Sequence, residues 1–300
     1  MAIAFRRPTI SSAPVIRTLQ AADVSALHLP TPRGASSLIQ ALERLPGRSV
    51  WSPDSLEYLL LAPWRQRCEI ACIEEFDAVR HLQPLLNAAF ERCVAHGDEL
   101  LLAIELESYR PQSRFERAGM ELLEEVITYE LEYYPTIAPS LGPLRRRPVT
   151  PFDESAIETL LEIDQAAFPW LWRNSRREFA VYLRTPGVSV TLLEADGAPV
   201  AYVGSTLFAG WGHLDRIAVL PGDQGRGFGR HALAIAVDAL RRQGAHRVAL
   251  STQRTNRRSQ RIYERFGFQR TPELDYRLFG VWCHPHRAGT HGAEVDFAPC

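Results

Sequence analysis

Three stretches of this chain recur at almost one spacing. Gly97-Asp98-Glu99-Leu100-Leu101-Leu102-Ala103 parallels Gly244-Ala245-His246-Arg247-Val248-Ala249-Leu250. Arg114-Phe115-Glu116-Arg117-Ala118-Gly119-Met120 parallels Ile262-Tyr263-Glu264-Arg265-Phe266-Gly267-Phe268, and Ile70-Ala71-Cys72-Ile73 parallels Ile217-Ala218-Val219-Leu220. The offsets are 147, 148 and 147. Each match is short, but the common register predicts one fold used twice. A length of 300 residues fits two modules of ordinary size. Between them, residues 134–143 hold three Pro and one Gly. Pro fixes φ and lacks a donor, so this run is neither helix nor central strand. The expected division is a first module over 1–134, a linker over 135–143, a second module over 144–282 and a C-terminal extension over 283–300.

Composition narrows the class. Hydrophobic residues are 46% and charged residues 23% of the chain, the balance of a packed globular protein. No apolar run reaches the roughly 18 residues of a membrane-spanning helix. Arg6, Arg7 and Pro8 stand where a signal peptide needs an apolar core. Five cysteines are too few for a disulfide scaffold, and a reducing, cytoplasmic setting is the expectation. Cys283, His284, His286, His291 and Cys300 match no zinc spacing, so no metal is expected. Neither a membrane nor a nucleic acid is expected as a partner, and the sequence is silent on oligomeric state. The net charge of −1 hides an asymmetry: residues 1–143 sum to −6 and residues 144–300 to +5. The second module is therefore the better host for an anionic ligand, unless surface charge has simply drifted. All 34 basic residues are Arg, which a GC-rich genome explains.

The second module reads as an alternation. Asp153 opens a helix, and another covers about 175–183. Strands follow at 188–194 and 199–208, turned by Asp196-Gly197 in the manner of a hairpin. A strand over 213–220 leads to a helix over 228–242, a strand over 247–251, a helix over 257–266 and a closing strand over 274–282. The order β-α-α-β-β-β-α-β-α-β predicts a mixed, mostly antiparallel sheet flanked by helices, of the α/β (α+β mixed sheet) class.

The sharpest local signal is Val219-Leu220-Pro221-Gly222-Asp223-Gln224-Gly225-Arg226-Gly227-Phe228-Gly229-Arg230. A strand ends, four glycines follow, and a helix begins. Gly admits positive φ and close approach of the backbone to a ligand. The first amides of a helix have no partner within it, so they form a site for a phosphate or pyrophosphate. The bland alternative is an ordinary strand-to-helix turn. A P-loop needs Lys, and the chain has none. The dinucleotide fingerprint needs a different glycine spacing.

With Gln224, Gly227 and Gly229 in one motif and Asn256, Ser259, Tyr263, Gly267 and Phe268 in a second, the chain resembles the GCN5-related N-acetyltransferase (GNAT) superfamily. The resemblance covers 144–282 and reaches the first module only through the repeat. It implies two tandem GNAT-like modules and acetyl-CoA as co-substrate. Main-chain groups of Ile217, Ala218 and Val219 are implied to meet the pantetheine arm as an added strand meets an edge. The amides of Gln224, Gly225, Arg226, Gly227, Phe228, Gly229 and Arg230 are implied to hold the pyrophosphate. Asn256 and Ser259 join the cofactor set, and Tyr263 is implied to protonate the departing thiolate. The alternative for Tyr263 is a helix aromatic that only packs.

An amine acceptor must lose a proton before it attacks, so a base is needed. His213 and Asp215 lie at alternate positions of the strand before the loop, where the family often has an acid. His titrates near neutrality; a solvated strand end is the alternative. Aromatics at Phe168, Trp170 and Trp172, and at Phe208 and Trp211, wall the acceptor or pack the modules together. In the first module Glu74-Glu75-Phe76-Asp77 stands where the loop is expected, and Phe115 where Tyr263 is, so this copy is expected not to bind acyl-CoA. The resulting expectation is an N-acetyltransferase acting on a primary amine, small molecule or peptide, by direct attack in a ternary complex. The alternatives are an acyl-CoA-binding regulatory module without catalysis and a structural protein without cofactor.

Overall fold

A computed structural model describes residues 13–27, 35–106, 112–132 and 144–284. The linker expected at 135–143 and most of the tail, from residue 285 on, lie outside the described residues. Among the described residues no helix is long and apolar enough to cross a membrane.

The first half contributes strands β1 (Arg17–Thr18), β2 (Val50–Trp51), β3 (Tyr58–Trp64), β4 (Arg67–Asp77), β5 (Leu100–Leu106) and β6 (Glu121–Leu131). Its helices are α1 (Ala35–Arg44), α2 (Leu82–Ala95) and the single turn α3 (Arg114–Arg117). The second half contributes β7 (Arg145–Val149), β8 (Val188–Ala195), β9 (Ala198–Phe208), β10 (Trp211–Val219), β11 (Arg247–Gln253), β12 (Gln269–Arg270) and β13 (Tyr276–Trp282). Its helices are α4 (Glu154–Ala167), α5 (Arg176–Tyr182), α6 (Phe228–Arg242) and α7 (Arg257–Phe266). Local chemistry sets these ends. Asp153 and Ser175 accept from Ala156 N and Glu178 N and so cap α4 and α5. Gly267, at φ +107°, closes α7.

The strands form one continuous sheet in the order β1-β2-β3-β4-β5-β13-β6-β11-β10-β9-β8-β7. The class is the mixed, mostly antiparallel sheet with flanking helices; only β4–β5 and β10–β11 pair in parallel. The centre of this sheet holds what the repeat does not announce. β13 leaves its own half and lies between β5 and β6, pairing Tyr276–Trp282 with Leu106–Leu100. β6 in turn pairs with β11 of the other half, from Val248↔Leu131 to Gln253↔Val126. Each half thus completes its sheet with the other's last long strand. The cores follow the exchange. Phe279 packs with α2 and Phe115 of the first half, whereas Ile127, Tyr129 and Leu131 pack under α6 in the second.

One register of the repeat needs correction. β4 pairs with β5 at Ile70↔Leu100, and β10 pairs with β11 at Trp211↔Arg247. Leu100 and Arg247 are equivalent in the repeat, so Ile70 matches Trp211, not Ile217. The bulges agree: one falls opposite Leu60/Leu61 in β4, the other between Leu214 and Arg216 in β10. Glu74 to Asp77 therefore lie within β4, not in a loop. The connection from strand to helix is short in the first half, 78–81, and long in the second, 220–227. An ungapped match cannot register a strand across such a length change.

Candidate active site

The bulge that bends β10 also opens the sheet. β10 and β11 are paired only from Trp211 to Leu214; beyond it β10 keeps β9 and loses β11. Ile217, Ala218 and Val219 thus face an open edge. The gap is a groove of about 710 Å³ that runs past the glycine loop to the first turn of α7. Gly225 and Gly227 sit at φ +91° and +90°, where an L side chain is strained, and Gly227 is the N-terminal cap of α6. From Gly225 to Arg230 no main-chain NH has a hydrogen-bond partner among the described residues. Arg230, Arg258, Arg261 and Arg265 line the groove, against Asp223 and Glu124. Arg226 is turned aside, paired with Asp223 at 2.5 Å and stacked on the Phe228 ring. Gln224 clasps the groove's end: its Nε2 donates to Val219 O at 3.1 Å, and its Oε1 accepts from Arg258 at 2.7 Å. The side chain, not the amide alone, is what Gln224 contributes; its NH already donates to Pro221 O.

Asn256 caps α7, accepting from Ser259 N at 3.2 Å. That fixes the helix on which Tyr263 sits. Tyr263 is buried, 6.0 Å ring to ring from Tyr129 of the exchanged strand and 6.1 Å from Phe268. Burial pushes its phenol up to about 12, a shift the Ser259 hydroxyl partly offsets, so the proton is held at neutral pH. Phe168, Ile217, Gln253, Asn256, Ser259 and Tyr263 are walls of the groove and also of a second cavity of about 360 Å³. The two spaces meet at Tyr263.

His213 and Asp215 line this second cavity. His213 Nδ1 lies 2.7 Å from Asp215 Oδ1, which assigns the proton to Nδ1 and leaves Nε2 as the basic nitrogen. Asp215 is itself held, its Oδ2 accepting from Thr206 at 2.6 Å and from the Tyr182 hydroxyl. In the same wall, buried Arg216 donates to Asp164 at 2.6 Å and to Trp172 O, and its guanidinium stacks 3.8 Å from the Phe168 ring centroid. Phe168 and Trp172 are walls of this cavity. Phe208 and Trp211 are not: they stand exposed at the far end of the hairpin, where Trp211 packs on His246 and Arg247.

The equivalent place in the first half is filled. In the connection just before α2, Val79 N and Arg80 N donate to Glu57 Oε1 at 2.7 and 2.6 Å, and His81 Nδ1 lies 2.5 Å from Oε2. Burial raises the Glu57 carboxyl, but the bonds from Arg80, His81, Val79 and Ser55 outweigh it and hold the group below its ordinary range. A carboxylate of the chain itself sits where a helix start would take an anion. Phe115, equivalent to Tyr263, is a buried ring between Phe76 and Phe279 and brings no hydroxyl.

Four residues of these sites carry no sequence signal. Glu57 precedes a strand, Tyr182 ends a helix, and Glu178 is the lone acid of α5, where an acid near a helix start needs no function. Arg65 sits in the β3–β4 turn, in the other half of the chain, yet lines the second cavity. Only the fold brings them in. Among the described residues no cluster of three or more His, Cys, Asp or Glu fits a metal ion.

The profile of the Acetyltransferase (GNAT) family matches residues 157–268. A mycothiol acetyltransferase of Beutenbergia cavernae is 38% identical over 73 residues, a match that spans only 24% of this chain and 24% of that relative. A GCN5-related N-acetyltransferase from Sphaerobacter thermophilus superposes with a TM-score of 0.61 over 90% of this chain and 96% of its own, at 17% identity. A tandem GNAT protein from the clavulanic acid biosynthesis pathway superposes at 0.58, covering 91% of this chain and 99% of its own, at 14% identity. At those identities the likeness is one of fold.

Proposed function

The chain carries a GNAT acetyltransferase module and shares its fold with tandem GNAT proteins, and from that premise we propose that it moves the acetyl group of acetyl-CoA to a primary amine in the second module. The observation that carries this is a meeting of two spaces. A groove with unpartnered amides and four guanidinium groups opens at Tyr263 into a cavity holding the His213–Asp215 pair.

The groove suits acetyl-CoA on its own terms. Amides of Gly225 to Arg230 and the positive end of α6 suit a diphosphate. The open edge at Ile217–Val219 suits the amides of a pantetheine arm laid along it. Bound acetyl-CoA supplies an activated acyl carbon; the rest falls to side chains. His213 Nε2 takes a proton from the acceptor's ammonium, directly or through one water, and Asp215 stabilises the imidazolium that results. The freed amine attacks the thioester carbonyl, a C–N bond forms and the C–S bond breaks. Tyr263 gives the departing sulfur a proton that its high pKa keeps available, and regains one from the substrate nitrogen, which sheds it as the amide forms. No covalent bond to the enzyme is required. The first module holds no acyl-CoA in this reading, because Glu57 already occupies its helix start.

Two measurements test the proposal: acetyl-CoA binding by calorimetry and thiol release with a panel of amines and peptides. Gly227→Glu abolishes binding by clash and repulsion. Tyr263→Phe retains binding and loses turnover by roughly 10²-fold or more, the usual weight of a general acid. Unchanged affinity in Gly227→Glu refutes the groove. Tight binding with no acetylated acceptor makes the module a silent acyl-CoA binder.

A further inference from the structure

The cavity beside Tyr263 belongs to both modules, and one of its charges, that of Arg65, has no ion-pair partner among the described residues. The β3–β4 turn of the first module is bolted to residues 170–175 of the second. Trp64 Nε1 donates to Leu171 O at 2.7 Å, Arg67 donates to Trp170 O, and the Ser175 hydroxyl donates to Arg65 O at 3.0 Å. At its tip Arg65 and Gln66 both take φ +53°. That is the two-residue hairpin geometry that ordinarily selects Asn or Gly. An arginine at such a position carries a backbone strain of about 1–3 kcal/mol.

The turn directs Arg65 into the cavity. Its guanidinium lies between the rings of Trp64 and Trp172, 5.2 and 5.1 Å from their centroids, and one nitrogen donates to Asn174 Oδ1 at 2.8 Å. Its Nε is buried with no hydrogen-bond partner, and no carboxylate among the described residues forms an ion pair with it. Desolvation first, and the charge of Arg216 second, pull its pKa down to about 10, with Glu178 and Asp164 opposing. It stays charged at neutral pH, so the cavity holds a cation that no carboxylate touches directly. Arg216 differs: its charge is met by Asp164 at 2.6 Å.

We infer that Arg65 is the acceptor-specificity residue and that it binds a carboxylate of the acceptor, so that the preferred substrate is an amine bearing a carboxylate. The inference rests on the acetyl-transfer reading above. A planar fork with free donors matches a carboxylate. A phosphate dianion fits less well, because Glu178 and Asp215 line the same cavity and repel a second negative charge. The arrangement also gives the first module a task in the reaction, since the cavity's other guanidinium, Arg216, is already paired with Asp164.

The test uses the full chain and matched amines: L-phenylalanine against 2-phenylethylamine, 6-aminohexanoate against hexylamine, and O-phosphoethanolamine against ethanolamine. The wild-type protein is expected to favour at least one carboxylated member by about 10- to 100-fold in kcat/KM, the scale of a charge-assisted hydrogen bond, through KM more than kcat. Arg65→Gln is expected to bring that ratio near one, and Arg65→Lys to restore it in part. No carboxylate preference in the wild type, a preference kept by Arg65→Gln, or a stronger preference for O-phosphoethanolamine each overturns the inference. The wild-type ratios decide even if a variant misfolds. If no amine is turned over, the acetyl-transfer reading fails, and calorimetry with N-acetyl-L-phenylalanine and N-acetyl-2-phenylethylamine on the CoA-loaded protein decides Arg65 separately. Tighter binding of the former, lost in Arg65→Gln, supports the carboxylate site; equal binding refutes it.

Discussion

Separating the two halves is the perturbation to which the exchanged strands point. A fragment of residues 144–300 retains the groove, the glycine loop and Tyr263, yet it loses β6. With β6 go six paired positions along β11 and the side chains of Val126, Ile127, Tyr129 and Leu131, all at most 3% exposed. Each such side chain contributes about 1.5–3 kcal/mol by burial, or roughly 6–12 kcal/mol for the four. The whole stability of a domain is about 5–15 kcal/mol. The fragment therefore has little or no net stability, and β11 is left as an unpaired apolar edge that invites aggregation. Circular dichroism and urea titration of the fragment check this. The expected result is no cooperative transition, with one restored when residues 1–143 are produced alongside. A fragment that unfolds cooperatively with a midpoint within about 0.5 M of the full chain refutes the reasoning.

Two further predictions follow from buried charge. Arg216→Met leaves the fully buried Asp164 with Tyr202 and the Asn174 amide but no countercharge, and costs about 3–5 kcal/mol in urea unfolding; a loss under about 1 kcal/mol contradicts the pairing. Glu57→Gln costs about 1–3 kcal/mol at neutral pH by weakening the bonds from the amides of Val79 and Arg80. Because the folded carboxyl titrates below its ordinary value of 4.5, that difference is full above pH 4.5 and shrinks as pH falls through the lower folded value. Stability curves of both proteins from pH 7 to 3 check the sign, and a gap that widens in acid refutes it.

The order of elements in the second module was legible because each depends on neighbours in sequence. Apolar spacing, Asp153, Ser175 and Asn256 at helix starts and Gly267 at a helix end act within a few residues. The glycine loop was legible for the same reason, since positive φ at Gly225 and Gly227 is a local demand. The exchange of β6 and β13 was not. Both strands carry the apolar residues of an inner strand, and pairing β13 with β5 or with β11 satisfies that pattern equally; long-range packing of Phe279 and Tyr129 makes the choice. His213 and Asp215 were legible as candidates, but their coupling was not, because it depends on the bulge at Asp215 and on hydroxyls from Thr206 and Tyr182. Arg65 lay out of reach altogether, since nearly all of its cavity comes from residues more than a hundred positions away.

The two helix starts explain why one copy of the fold cannot be discarded. Both α2 and α6 present free donors after a parallel strand, and such donors are costly to leave buried and unmet. In the second module a long connection keeps them open to the groove. In the first a short connection turns the amides of Val79 and Arg80 onto Glu57, whose carboxylate fills the space just before α2. Other parts of that copy are used structurally: β6 closes the second module's sheet, and the β3–β4 turn walls the cavity that holds His213 and Asp215. A substitution in the first half that loosens either part is therefore expected to weaken the second half's chemistry at a distance. Trp64→Ala is a direct case, because it removes the bond to Leu171 O and the edge contact with Trp172 at 5.8 Å. It is expected to raise KM for the acceptor while leaving the affinity for acetyl-CoA, whose groove it does not touch, unchanged within about twofold by calorimetry. An equal loss in both affinities means that the turn supports the fold as a whole and not the acceptor wall.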